Sequence, residues 1–135
     1  MDTIMAVCGT GMEGAGTLSR LDRIRGCLLG GAAGDALGAP VEFLEWAAIR
    51  AIHGPDGIRD FAPAYGGLGT ITDDTQMMLF TAEGLLRAYV EGSSYGRPHV
   101  PSFIHQALLR WLGTQNCQSE LKAPMDGWLV REPGL

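Results

Sequence analysis

No CxxC spacing joins the three cysteines, Cys8, Cys27 and Cys117, and an odd number does not suit a disulfide framework. A reducing, cytoplasmic setting is the simplest reading. Basic charge is also scarce: 10 Lys and Arg against 15 Asp and Glu leave a formal charge of −5 and a pI near 5.0. A chain so composed has no basic face with which to neutralise a polyanion, so nucleic acid is not an expected partner. A membrane-length apolar run is missing as well. The most apolar stretch, Gly26 to Val41, is too short to span and contains Asp35, and it reads as a buried helix. No internal repeat is visible. The start, MDTIMAVCGTGMEGAGTLS, lacks the basic and apolar regions of a signal peptide, so residues 1–18 read as a flexible, Gly-rich lead-in.

What remains is a chain of 135 residues with 46% hydrophobic content, enough for one core. From Ser19 onward its pattern is helical. Ser19 followed by Asp22 predicts a capping box with Asp in the usual Glu position, and Leu21, Ile24, Leu28 and Ala32 continue at helical spacing, giving a helix over Arg20 to Leu37. Its second half, GGAAGDALG, is glycine-rich at a cost of about 1 kcal/mol per glycine relative to alanine. Close packing by another helix is the expected compensation. Because no strand precedes this stretch, a dinucleotide-binding loop is the weaker reading.

VEFLEWAAIRAIHG predicts a short helix that ends at Gly54, and a turn-rich segment follows it. A third helix is predicted from Asp73 to Val90, with Met78, Ala82, Leu85, Leu86 and Tyr89 inward, Glu83 paired with Arg87, and Gly92 as its stop. The fourth runs from near Ser102 to Gly113, with Ile104, Leu108, Trp111 and Leu112 on one side. No strand ladder is evident, and the fold class is all-α. Residues 114–135 are turn-rich and end without a capped element, so the chain is expected to stop inside a larger domain and to self-associate through the apolar surface thereby exposed.

Two acids draw the chemistry together. In ITDDTQMML, Thr72 or Asp73 suits a helix N-cap, Asp73 with Gln76 fits a capping arrangement, and first-turn acids gain about 0.3–1 kcal/mol each from the helix dipole. Capping alone accounts for that pattern. Yet two carboxylates about 4 Å apart repel by about 4 kcal/mol at an effective dielectric near 20, more than the dipole returns. A hard cation such as Mg²⁺, Mn²⁺ or Ca²⁺ would resolve the conflict, and residues about 100° apart on a first turn can face more than one ion. Asp35 follows Leu21 and Leu28 at heptad spacing, which puts a carboxylate at the edge of a core face. It is either satisfied by a helix terminus or an arginine, or part of a site. Gly66, Gly67 and Gly69 form either a backbone loop for a pyrophosphate or a flexible entry to the helix. His53, His99 and His105 lack ligand spacing and read as surface groups, whereas Trp46, Trp111 and Trp128 read as core or pocket-wall residues.

Taken in order, RGCLLGGAAGDALGAPVEF, GTITDDTQMML and ALLRWLGTQN with DGWL resemble the N-terminal part of the ADP-ribosylglycohydrolase family, which includes the dinitrogenase-reductase-activating glycohydrolases. The resemblance implies an orthogonal helical bundle, incomplete in this chain and occupying residues 19–135. It also implies a two-metal Mg²⁺ or Mn²⁺ centre that hydrolyses ADP-ribose from a modified side chain or a related conjugate. On that basis Thr72, Asp73 and Asp74 become metal ligands and Glu42 an acid near substrate and metal; joined to the reading of the residues above, Glu42 and Asp74 are the expected catalytic groups, Glu42, Gly67 and Gly69 the expected substrate contacts, and Asp35 a supporting acid. The expected partner is an ADP-ribosylated protein or a small ADP-ribosyl conjugate. A further acidic segment typical of the family has no counterpart here, and Asp126 of DGWL does not replace it, so the chain alone is expected to be inactive. A non-catalytic ADP-ribose-binding module and a helical interaction module are the alternatives; intact Asp73 and Asp74 argue against the first, and a magnesium or manganese titration without effect on thermal stability would favour the second.

Overall fold

The computed structural model describes residues 18–115 and 124–133. Cys8, Cys117, almost all of the lead-in and the segment 116–123 lie outside the described residues. Within them the chain is all-α: α1 (Arg20–Gly38), α2 (Trp46–His53), α3 (Asp73–Tyr95) and α4 (Val100–Thr114), with one antiparallel pair, β1 (Pro63–Ala64) and β2 (Gly67–Leu68). No single described helix is long and apolar enough to cross a membrane.

The start of α1 is the predicted capping box. Ser19 Oγ accepts from the Asp22 backbone N–H at 3.1 Å, and Asp22 accepts from the Ser19 backbone N–H at 3.3 Å. The helix ends at Gly38, where Pro40 sits in a short 3-10 turn (Ala39–Val41) that redirects the chain. This turn is the reason α2 begins at Trp46 rather than at Val41. Gly54, at φ 89°, closes α2.

The core lies between α3 and α4. Phe80, Ala107 and Leu129 are fully buried there, with Leu79, Trp111 and Val130 against them. Gly84 permits the approach, since a Cβ on it would sit 2.9 Å from the Phe103 carbonyl oxygen and 3.0 Å from Ile104 Cα. Two expectations change here. Gly92 is inside α3 rather than beyond it, and its missing side chain makes room for Pro98, at 2.7 Å from a Cβ placed there. Gly96, at φ 108°, is the residue that ends the helix. The expected inward set also divides, because Leu85, Leu86 and Tyr89 are exposed at 48%, 60% and 76%, whereas Glu83 is buried.

Helix α1 departs from expectation in its packing. Leu21 and Ile24 are about half exposed, at 53% and 50%, and Gly26, Gly30, Gly34 and Gly38 face open space. Only Gly31 meets a neighbour, the mobile thioether end of Met78. Helix α1 meets α3 along Gly31, Asp35 and the buried Ala36, so the close approach expected of its glycines is made at Gly31, while Gly26, Gly30, Gly34 and Gly38 gain none among the described residues. Of the tryptophans, Trp111 is half-buried between helices, while Trp46 and Trp128 stay largely exposed, Trp46 beneath the Arg50 guanidinium. His99 and His105 are exposed and His53 is half-buried at the end of α2.

Candidate metal centre

The site grows from the first turn of α3. Thr72 is its N-cap, with Oγ1 accepting from the Asp74 backbone N–H at 3.4 Å. Asp73 and Asp74 occupy the first turn, where the unpaired N–H groups favour negative charge. The capping arrangement expected between Asp73 and Gln76 does not form. Gln76 instead turns toward α4, where its Oε1 accepts from Trp111 Nε1 at 3.0 Å and from Gln115 Nε2 at 3.2 Å.

Asp35 reaches the same turn from α1. One of its oxygens accepts from Thr72 Oγ1 at 2.6 Å; the other accepts from the Thr72 N–H at 2.8 Å, the Thr75 N–H at 3.2 Å and the Thr75 hydroxyl. Of the two partners open at the sequence level, a helix terminus or an arginine, the terminus is the one present. Burial works against the ionised carboxyl, but these bonds outweigh it and hold the Asp35 pKa below its ordinary value. Thr75, buried at 4% exposure, has no other partner for its hydroxyl among the described residues. The bonds that Thr72 donates to Asp35 fix its rotamer and direct its hydroxyl proton at Asp35, so that Oγ1, which also accepts from the Asp74 N–H, serves as an acceptor.

Asp73 and Asp74 are exposed, and no described side chain or backbone group donates to their carboxylates. They border different concavities. A cavity of about 530 Å³ is lined by Glu42, Tyr65, Thr72, Asp73, Gln76 and Trp111. A second, also about 530 Å³, is lined by Gly31, Gly34, Asp35, Glu42 and Asp74. Glu42, at the end of the 3-10 turn, belongs to both walls.

Glu42 is held by a residue that spacing did not single out. Tyr65 donates its phenolic O–H to Glu42 Oε2 at 3.1 Å. Loss of solvation, followed by that hydrogen bond and the charge of Glu42, pushes the phenol above its ordinary pKa. Tyr65 and Gly66 form the two-residue turn between β1 and β2, with φ of 48° and 85°. Positive φ at both central positions is the requirement of a type I′ hairpin, which favours Asn-Gly or Asp-Gly; a bulky side chain at the first of them costs about 1–3 kcal/mol. Gly67 pairs with Ala64, and Gly69 backs onto the Phe61 ring. The structure brings neither Gly67 nor Gly69 to the walls of these two cavities.

Hard oxygen donors with free lone pairs, on a segment whose hydroxyl is held in one orientation, fit one side of a Mg²⁺ or Mn²⁺ site. They do not enclose an ion: among the described residues no group of three or more His, Cys, Asp or Glu side chains converges for a metal.

A family model for ADP-ribosylglycohydrolase matches residues 16–134. The chain belongs to the ADP-ribosylglycohydrolase family. It is 48% identical over 68 residues to an uncharacterised protein of Archaeoglobus fulgidus, a match that covers 48% of this chain and 22% of that relative. The chain thus spans well under two thirds of the relative it matches. No solved structure matches it. The family is one of glycohydrolases, and the all-α architecture described above accords with it.

Proposed function

We propose that the protein to which this chain contributes hydrolyses ADP-ribose from a modified side chain or a small ADP-ribosyl conjugate. In this reading Thr72, Asp73 and Asp74 hold Mg²⁺ or Mn²⁺. The observation that carries it is the division of labour at the start of α3. Asp35 takes the hydrogen bonds of Thr72 and Thr75, while Asp73 and Asp74 keep their carboxylates free beside Glu42.

Hydrolysis at the anomeric carbon breaks the bond from C1 of the ribose to the acceptor nitrogen or oxygen and forms a bond from C1 to a water oxygen. Positive charge develops on the ring as the old bond lengthens. Hard cations at such a site supply orientation of the ribose hydroxyls and polarisation of water. Glu42, exposed at the shared wall, accepts the proton of the attacking water or controls entry. Asp35 keeps Thr72 in place. Gln76, fixed by Trp111 and Gln115, lines the same cavity and limits how the substrate enters.

Because three neighbouring residues supply only one side of a coordination shell, the chain alone binds the metal weakly and does not turn over. Calorimetry with Mg²⁺ and Mn²⁺ on the wild type and on Asp74→Asn tests the assignment, alongside hydrolysis of ADP-ribosyl-arginine. Weak binding that is lost in the variant supports it. Unchanged affinity in Asp74→Asn would remove Asp74 from the site, and binding of ADP-ribose without turnover by a longer form carrying additional acids would favour a non-catalytic reader.

A further inference from the structure

We propose that Tyr65 is a positioning residue for Glu42: the hairpin carries a tyrosine against its own turn preference in order to hold the Glu42 carboxylate at the wall between the two cavities. The functional meaning rests on the role given to Glu42 above, but the physical link does not.

Three observations converge on it. The Tyr65 hydroxyl is the only described donor to the Glu42 side chain, and the two residues are 23 positions apart, so the bond joins the hairpin to the 3-10 turn after α1. Without it Glu42, exposed on a short turn, would sample several rotamers. Secondly, Tyr65 is the non-glycine residue with positive φ among the described residues. A turn selected for hairpin stability alone would carry Asn or Asp there. A local rule broken at a cavity wall, where the side chain makes a specific polar contact, marks a residue retained for the site. Thirdly, packing does not explain the ring: Tyr65 is 60% exposed, and its ring lines the same cavity as Thr72 and Asp73.

The test requires neither metal nor turnover, so its result stands apart from the hydrolase reading. The full chain is prepared with ¹³Cζ-labelled tyrosine and, separately, with ¹³Cδ-labelled glutamate. Tyr65→Phe identifies the Tyr65 signal among the three tyrosines. In the wild type the Tyr65 phenol is expected to ionise above the ordinary tyrosine range, and Glu42→Ala should return it toward that range. The Glu42 carboxyl carbon, identified by Glu42→Ala, should change its chemical shift in Tyr65→Phe at neutral pH, because the phenol is its described hydrogen-bond donor. Tyr65→Asn provides the control for folding: it should melt at the same temperature as the wild type or higher, because Asn suits the turn, while showing the Glu42 signal of Tyr65→Phe. A Tyr65 signal indifferent to Glu42→Ala would overturn the link. A clearly lower melting temperature for Tyr65→Asn would show that the ring serves the hairpin's own packing, and would overturn the positioning role.

Discussion

Asp35, which reaches α3 from α1, and Glu83, on α3 itself, are both acids drawn out of water, and they are satisfied in opposite ways. Asp35, at the N-terminal end, is bound only by neutral donors, two backbone N–H groups and two hydroxyls. Glu83, in the middle of the helix at 3% exposure, is bound by arginines. Arg87 contacts it at 2.9 Å, whereas Arg110, itself 3% exposed, lies 3.9 Å away with Nε and Nη2 lacking partners, as does Glu83 Oε2. Arg87 also binds Asp126 at 2.9 Å, which ties residues 124–133 to the helix pair. A carboxylate met by neutral dipoles leaves the surrounding field negative, which suits a place for a cation. One met by guanidinium groups neutralises its surroundings and serves assembly.

The largest expected effect lies at the charged end. Glu83→Ala removes the buried acid shared by Arg87 and Arg110 and leaves Arg110 only the more exposed Asp126, 4.0 Å away, so it should cost up to about 3–5 kcal/mol in denaturant unfolding. Replacing both members, Glu83→Leu with Arg110→Met, should recover most of that loss, because the desolvation penalty disappears with the pair. If the double variant is no more stable than the single one, the ion pair is a stabilising contact and the contrast with Asp35 weakens.

At the other end, Asp35→Ala strands two N–H groups and the buried Thr75 hydroxyl, and should cost about 2–3 kcal/mol. It should also lower Mg²⁺ affinity, since the Thr72 hydroxyl then rotates freely. Glu83→Leu with Arg110→Met should leave that affinity unchanged, and a calorimetric comparison of the variants separates the two regions directly.

Glycines sharpen the comparison at smaller magnitude. Gly84→Ala pushes a methyl against the backbone of α4, where nothing can yield, and should destabilise by about 1–3 kcal/mol despite alanine's better helix propensity. Gly30→Ala and Gly34→Ala, on a face of α1 that meets nothing, should each stabilise by up to about 1 kcal/mol. Thermal melts of the three variants decide it. Loss of stability in Gly34→Ala would mean that this face of α1 is covered in solution.

The smallest effect is that of pH. Asp35 and Asp126 both have pKa values held below the ordinary carboxylate range, Asp126 chiefly by its hydrogen bond from Arg87. A carboxyl depressed on folding contributes stability that is full above its unfolded value of about 3.9 and is lost as pH falls through the lower native value. Stability should therefore be flat near neutrality and decline in strongly acidic buffer. In Asp35→Asn that acid-induced decline should be shallower, as read from unfolding midpoints across the pH series.

Much of the fold was legible because its signals are local. The Ser19–Asp22 box, the i,i+4 pair of Glu83 and Arg87, and the first-turn acids after Thr72 each involve residues within four positions of one another. Helix ends were less legible wherever a glycine had two possible uses. Gly92 and Gly96 look alike in the chain, and only the proximity of Pro98 shows which one accommodates a neighbour and which one stops the helix. The inward face of α3 is legible only in part for a similar reason: periodicity identifies an apolar stripe, of which Met78 and Ala82 are half-buried, but Leu85, Leu86 and Tyr89 have no described layer to cover them.

By itself the sequence determined that this chain is helical, acidic and built around an Asp73–Asp74 pair at a helix start, since capping, periodicity and charge act over a few residues. Its motifs also pointed to the family. The tertiary structure decided which groups those acids keep for company. Asp35 lies 37 residues from Thr72 and Glu42 lies 23 from Tyr65, so neither bond exists until α1, the hairpin and α3 are packed together. Contacts across such separations depend on how the helices cross and where the turns place them, which no short-range pattern encodes.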